Sequence, residues 1–277
     1  MTGRSVSRAL KGVLRYGIVA AVLVFFGFPI LWTVLTAIKP VDLIPKIPPV
    51  WIFEPTLDHF RTLFLEKEVM RSFTNSLVVA TSSTLLALLV GVPAAYAFAR
   101  FEFRGKESLA FYFLSSRMTP PIAMIVPFFL ISRDLGLLDT RLVLILAYTA
   151  FNFAFVVWLL RGFFAEIPYE IDEAALVDGC SRFGAFLRVV LPLAVPGIAS
   201  AGIICFIFSW NEFLFALVLT SMNAKTLPVA AAGFVTDRLV LWGNLCAMAV
   251  VIFVPVMIFA ILTRKQLIRG MTLGAVK

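Results

Sequence analysis

Residues 166–197 read E-I-P-Y-E-I-D-E-A-A-L-V-D-G-C-S-R-F-G-A-F-L-R-V-V-L-P-L-A-V-P-G, the longest polar-looking segment in a very apolar chain apart from the loop after the first apolar run. Pro168 suits the first turn of a helix, where its missing N–H costs nothing. Glu170, Asp172 and Glu173 place carboxylates at the positive end of the helix dipole. Ala174, Ala175, Leu176 and Val177 add strong helix propensity and a small apolar face. Gly179 can take the left-handed conformation that closes a helix, and Ser181 can cap a second one over residues 182–190. The sequence predicts helix, tight turn and helix, ending at Pro192 and Pro196, where a membrane span begins. The two alanines beside Glu173 leave a shallow surface that a partner protein can approach closely; an amphipathic helix on the membrane surface would satisfy the same pattern.

The chain has 277 residues, 61% hydrophobic and only 14% charged. A soluble domain carries about a quarter charged residues, so lipid solvates most of this one. A net charge of +8 would point a soluble protein toward nucleic acid, but the positions of the charges explain it better and no nucleic-acid partner is expected. Cys180, Cys205 and Cys246 are odd in number and far apart, which indicates neither a disulfide framework nor a metal site. His59 is the single histidine, which removes His-based metal clusters and most nucleophile–base pairs. Neither G-x-x-x-x-G-K-[ST] nor G-x-G-x-x-G occurs, so no nucleotide site is expected on this chain and no catalytic or metal-ligating residue is assigned.

Gly17–Ile38 is a run of 22 uncharged residues, enough to cross the roughly 30 Å hydrocarbon core at about 1.5 Å per residue. It is longer than the apolar region of a cleaved signal peptide and is read as a retained first span. Further apolar runs at 73–99, 108–132, 140–160, 194–220 and 241–262 complete an all-α, six-span domain over 17–262. Tails at 1–16 and 263–277 flank it, and the loop 166–192 lies between spans four and five. The tails, 100–107 and 161–192 together hold 14 Lys and Arg, against nine in the opposite loops, five of those matched by acids in 39–71. The positive-inside rule then puts both termini and the 166–192 loop in the cytoplasm.

Loop 39–71 combines Pro40, Pro45, Pro48, Pro49 and Trp51 with a helical-looking D-H-F-R-T-L-F; a platform for an external partner and a simple tether both fit. Thr119-Pro120-Pro121 removes two successive backbone donors, and Pro127, Pro196 and Pro255 add others, so breaks or kinks are expected there. Every other charge falls in a loop or tail, leaving Arg117 and Glu212 inside spans. Such groups are costly and are candidates for function by default. They lie about 14 Å and about 27 Å from the cytoplasmic ends of their spans, which opposes a direct pair unless the 120–121 break shifts span three. Glu212, with Trp210, Asn211 and Arg117, is the candidate pathway set; a structural hydrogen-bond network between spans is the competing role.

The pattern E-A-A, three residues, then G, with L-P about a dozen residues on, resembles the signature loop of binding-protein-dependent ABC importer permeases. So do Asn75-Ser76 and A-A-Y-A-F-A-R in the second span. F-S-W-N-E-F-L-F-A-L and the C-terminal R-K-Q-L-I-R-G-M-T-L-G-A-V-K are similar to the carbohydrate-uptake branch, near the smaller permease of maltose-type systems. The resemblance covers residues 12–277 and implies a multi-pass subunit of a bacterial or archaeal cytoplasmic membrane. It implies that Glu173, Ala174, Ala175, Asp178 and Gly179 form a cytoplasmic coupling helix docking on an ATPase subunit. Two ATPase subunits holding ATP and Mg, a second and different permease and a periplasmic or extracellular solute-binding protein would complete the complex, with a sugar, polyol or derivative as cargo. A flexible tail through Gly270 and Gly274 would reach the ATPase subunits, and Arg264, Lys265 and Arg269 are read as positive-inside anchors. An ion- or proton-coupled secondary transporter using Arg117 and Glu212, or a membrane scaffold, are the other classes; no internal repeat of the kind secondary transporters often carry is visible.

Overall fold

A computed structural model describes residues 3–236 and 239–272, with side chains at 12, 14–236 and 239–261. Tail residues 273–277, with Gly274 and Lys277, lie outside the described residues, as do the side chains of Arg4, Arg8, Lys11, Arg264, Lys265 and Arg269. Helices α1 (Gly3–Ala37), α2 (Asp58–Leu65), α3 (Lys67–Arg100), α4 (Lys106–Met118), α5 (Pro121–Asp134) and α6 (Arg141–Glu166) account for the first part of the chain. After them come α7 (Tyr169–Val177), α8 (Arg182–Ala185), α9 (Leu191–Trp210), α10 (Leu214–Leu219), α11 (Leu227–Ala232) and α12 (Trp242–Thr272). Among the described residues, five helical stretches are long and apolar enough to cross a membrane, and six are obtained if the bent pair α4–α5 counts as one span.

The chain divides into two packed units, Met1–Glu66 with Ala231–Phe253, and Lys67–Ala230 with Val254–Lys277. In the first, α1 leaves Leu23, Phe25 and Phe26 exposed, an arrangement that lipid satisfies. The D-H-F-R-T-L-F reading is correct: it is α2, whose His59 is buried between the Lys39 carbonyl at 3.0 Å and Asn244 Oδ1 at 3.1 Å.

The second unit is organised on α3, α6 and α9. A Cβ at Gly91 would meet Val156 at 2.6 Å, and one at Gly197 would meet Phe163 at 2.7 Å. Absent side chains let these helices approach closely, the usual packing device between spans. Ala87, Ala95, Val156, Leu160 and Ala201 fill the seam and are fully buried.

Several helix boundaries differ from those read in the sequence. The 108–132 run is two helices bent by 97°. Thr119 and Pro120 each precede a proline, and both are extended, at φ −67°, ψ 126° and φ −58°, ψ 130°. Ring clash disfavours the α region at both positions in succession, and Pro121 then opens α5 at its first turn. Pro127, Pro196 and Pro255 stay inside continuous helices, so none of them breaks its helix. The helix expected to stop at Pro192 runs on from Arg182 to Trp210 as one 29-residue stretch. It passes Pro192 by widening to a π turn over Phe186–Val190, where Leu191 N–H bonds the Phe186 carbonyl; the wider turn relieves the clash of the ring with the preceding carbonyl. The 194–220 run is interrupted at 211–213. Residues 3–16 and 263–272 belong to the first and last helices rather than to separate tails, and Gly270 lies within α12.

Candidate functional site

Two places in the second unit concentrate polar chemistry. The first is the turn between α7 and α8. Its closure follows from local sequence: Gly179 has φ 85°, the left-handed conformation open to glycine. Cys180 N–H reaches back to Ala175 O at 3.0 Å and Gly179 N–H to Leu176 O at 3.1 Å, the Schellman pattern. Ser181 caps α8 by accepting from Gly184 N–H at 3.1 Å.

What fixes this turn to the bundle lies beneath it. Asp172 is buried and pairs with Arg100 Nε at 3.0 Å, both side chains under a tenth exposed. The other Asp172 oxygen accepts from Tyr96 Oη at 2.5 Å. Arg100 also donates to the Ile167 carbonyl at 2.8 Å and lies 5.8 Å from the Tyr169 ring. Arg182 sits over Phe101, also at 5.8 Å. The Nε–Oδ2 contact is an ion pair without hydrogen-bond geometry, so the Tyr96 and Ile167 hydrogen bonds hold the buried pair in place, and removing either partner would strand a charge. Of the residues expected to dock a partner, Glu173, Ala174, Asp178 and Gly179 are exposed, and nothing lies within 4 Å of a Cβ built at Gly179. Ala175 is buried, facing inward from α7.

The second place is a cavity of about 310 Å³ beside the two helix interruptions, lined by Arg117, Pro121, Tyr148, Phe151, Asn152, Phe208, Ser209, Glu212 and Phe215. The bend in the third run brings Arg117 and Glu212 to one cavity, although they form no ion pair with each other. Glu212 accepts from Tyr148 Oη at 2.7 Å and from the N–H groups of Phe215 at 2.9 Å and Ala216 at 3.2 Å. Its carboxylate therefore starts α10, supplying acceptors where the interrupted helix has none. Arg117 lies between aromatic faces, 5.3 Å from Phe155 and 5.1 Å from Phe208. Asn152 Nδ2 donates to Ser209 Oγ at 2.8 Å, and Ser83 Oγ to the same hydroxyl at 3.1 Å.

Trp210 and Asn211 do not line this cavity. Trp210 is buried against Phe73 and Phe206, and Asn211 turns back to the Ile207 carbonyl at 2.8 Å.

Sequence reasoning missed Tyr96, Arg100 and Asp172 as a group, because each has a sufficient local explanation and the pairing spans 72 positions of sequence. It also missed Tyr148, Asn152 and Ser209, whose only signal was uncharged polarity inside apolar runs.

At the other end of α3, about 38 Å along it, a third cluster joins loops. Asn75 Nδ2 donates to the carbonyls of Asn223 and Lys225, both at 2.9 Å, while its Oδ1 accepts from Arg141 at 2.7 Å. Asp139, at φ 57°, collects the backbone N–H groups of residues 221–224. Partial burial opposes its ionisation, but these donors outweigh it and hold the carboxyl below the usual range.

Residues 87–272 match the family described as "Binding-protein-dependent transport system inner membrane component". The chain is 41% identical over 251 residues to the probable ABC transporter permease protein y4oR of Sinorhizobium fredii, covering 90% of each. It is 37% identical over 254 residues to the trehalose transport system permease protein SugB of Mycobacterium tuberculosis, covering 90% of this chain and 92% of that one. Its fold matches a subunit of a bacterial ABC transporter that imports the acidic polysaccharide alginate, with TM-score 0.78 at 23% identity over 94% of this chain and 97% of that one. The chain belongs to the binding-protein-dependent transport system inner membrane components, the permeases of ABC importers. That assignment replaces the gradient-driven transporter and the scaffold considered from sequence alone.

Proposed function

We propose that this permease carries a carbohydrate or carbohydrate-like solute inward, with both termini and the α7–α8 turn in the cytoplasm and the Asp139 cluster outside. A second, different permease, two ATPase subunits holding ATP and Mg, and an external solute-binding protein complete the complex. Catalysis lies in the ATPase subunits. This chain converts their closure into movement of its helices.

The observation that carries the reading is the Tyr96–Asp172–Arg100 brace under a bare, exposed turn. A partner seated on Glu173, Ala174, Asp178 and Gly179 would push a rigid body. Force would pass into α3 through Arg100, and along the unbroken 182–210 helix, about 43 Å long, to Ser209 at the cavity wall. The interruptions at 119–120 and 211–213 let the cavity walls shift without unfolding a whole span, and broken helices are tolerated at membrane depth where they border a cavity. The trehalose and alginate systems among the similar proteins support the solute class.

The test is purification of the intact assembly in mild detergent from its native membrane, with its subunits identified and vanadate-sensitive ATPase activity assayed. An ATPase subunit and a second permease should accompany the chain, and a membrane-impermeant thiol reagent should reach Cys180 only from the cytoplasmic side. A chain that purifies alone, or Cys180 labelled from outside, contradicts the reading.

A further inference from the structure

The cavity beside the two helix interruptions contains opposite charges in different situations. Glu212 is satisfied: one carboxylate oxygen accepts two hydrogen bonds and the other accepts one. Arg117 has no carboxylate and no hydrogen-bond acceptor among the described residues, only the faces of Phe155 and Phe208. Ring faces leave the donors at the edge of a guanidinium unmatched. Those donors form a rigid fork that fits a carboxylate, sulfonate or phosphate through two parallel hydrogen bonds.

The remaining walls specify the other end of a ligand. Glu212 Oε1 accepts one hydrogen bond, from Phe215 N–H, and keeps a lone pair for a hydroxyl donor. Ser209 and Asn152 add polar atoms to the lining, and Phe151, Phe208 and Phe215 supply flat apolar walls. A volume of about 310 Å³ is at the lower end of the about 300–1,000 Å³ typical of small-ligand sites.

We propose that this cavity takes one hexose-sized unit bearing an oxyanion, with the anion on Arg117 and hydroxyl groups directed to Glu212 and Ser209. The proposal rests on the reading of the chain as a carbohydrate permease and narrows its solute to acidic sugars. A neutral sugar offers Arg117 only uncharged hydroxyl acceptors, whereas an oxyanion adds charge-assisted, two-pronged hydrogen bonds and still presents hydroxyls to the acid.

The test uses the whole complex, with its partner permease and ATPase subunits, in phosphatidylcholine nanodiscs and without binding protein. Methyl β-glucuronide, methyl β-glucoside and methyl β-glucoside 6-phosphate are titrated by saturation-transfer NMR, on wild type and on Arg117→Gln, Arg117→Lys and Asn152→Ala. At least one anionic sugar should bind about tenfold or more tightly than the neutral glucoside, as charge-assisted hydrogen bonds give; which of the two does so separates carboxylate from phosphate. Arg117→Gln should bring that ratio to about one, Arg117→Lys should retain part of it, and Asn152→Ala should weaken all three sugars alike. Equal binding of the three sugars by wild type overturns the oxyanion assignment and leaves the carbohydrate reading standing. A preference that survives Arg117→Gln also overturns it, because the anion is then read elsewhere. If no sugar binds while vanadate-sensitive ATPase activity is intact, the cavity is not a ligand site and the carbohydrate pathway falls with it. If Arg117→Gln releases the second permease, the counterion of Arg117 lies in that subunit and the proposal fails.

Discussion

The turn at 178–181 and the break at 211–213 both interrupt helical runs of one unit, and they are built in opposite ways. At the turn, backbone closure is complete within six residues, and the buried charge below it is paired on both oxygens of Asp172. At the break, Glu212 caps a new helix, while Arg117 in the same cavity lies against two aromatic faces and has no ion-pair or hydrogen-bond partner among the described residues. The first arrangement has one geometry, and in the proposed function it is the part that would transmit force. The second has spare hydrogen-bonding capacity and can accept a ligand. The contrast indicates which residues can be changed without loss of assembly.

The largest expected effect is at the brace. Asp172→Ala leaves Arg100 buried without its partner and should cost about 3–5 kcal/mol, read as early thermal inactivation of the purified complex. Replacing both, Arg100→Met with Asp172→Leu, should recover most of that stability. A single variant as stable as wild type would show that the brace is not what holds the turn.

Glu212→Gln places an amide N–H₂ against donors and should cost about 1–3 kcal/mol, with solute transport reduced; Asn211→Ala should be milder, because that side chain bonds only the Ile207 carbonyl. If both leave uptake and substrate-stimulated ATPase activity unchanged, the cavity is not on the pathway and its polar groups are structural.

Gly179→Asp should destabilise the fold by only about 1–2 kcal/mol through its positive φ, since nothing lies within 4 Å of the added Cβ. Its effect should fall on coupling: a charge enters the exposed surface and uptake is lost while the complex still melts near the wild-type temperature. Normal uptake with normal coupled ATPase activity would remove the docking role from this turn.

The smallest effect is at Asp139. Its carboxyl is held below its unfolded value of about 3.9, so it contributes stability in full above that pH and loses it as pH falls through the folded value. Asp139→Asn should cost about 1 kcal/mol at pH 7, modest because the site is only partly buried, and the gap from wild type should narrow below pH 4. A gap that widens on acidification would contradict the assignment of the four N–H donors to an ionised carboxylate.

The same contrast explains what the sequence revealed. Pro168, Gly179 and Ser181 are local instructions, each acting within a few residues, and the α7–turn–α8 motif was legible from them. The pre-proline pair at 119–120 also gave its break, though not the 97° bend that brings Arg117 to the cavity of Glu212. Pro192 misled, because the chain absorbs it in a π turn fixed by Phe186 and Leu191 rather than by ending the helix. Tyr96, Arg100 and Asp172 were invisible as a site because long-range pairing leaves no mark on spacing: Asp172 already looked like a dipole-compensating acid and Arg100 like one of the positive-inside charges of 100–107. Glu212 was found by its charge in an apolar run, but its role as a helix cap depends on where the backbone breaks.

The most direct test of the central claim, that the exposed turn passes force from an ATPase subunit into the helices, is the Glu173→Lys variant of the intact complex. Glu173 is exposed and outside the brace, so the chain should fold and reach the membrane. The account predicts that the ATPase subunit no longer co-purifies and that solute-stimulated, vanadate-sensitive ATPase activity is lost. Retention of a full complement of ATPase subunits with wild-type coupling would contradict it.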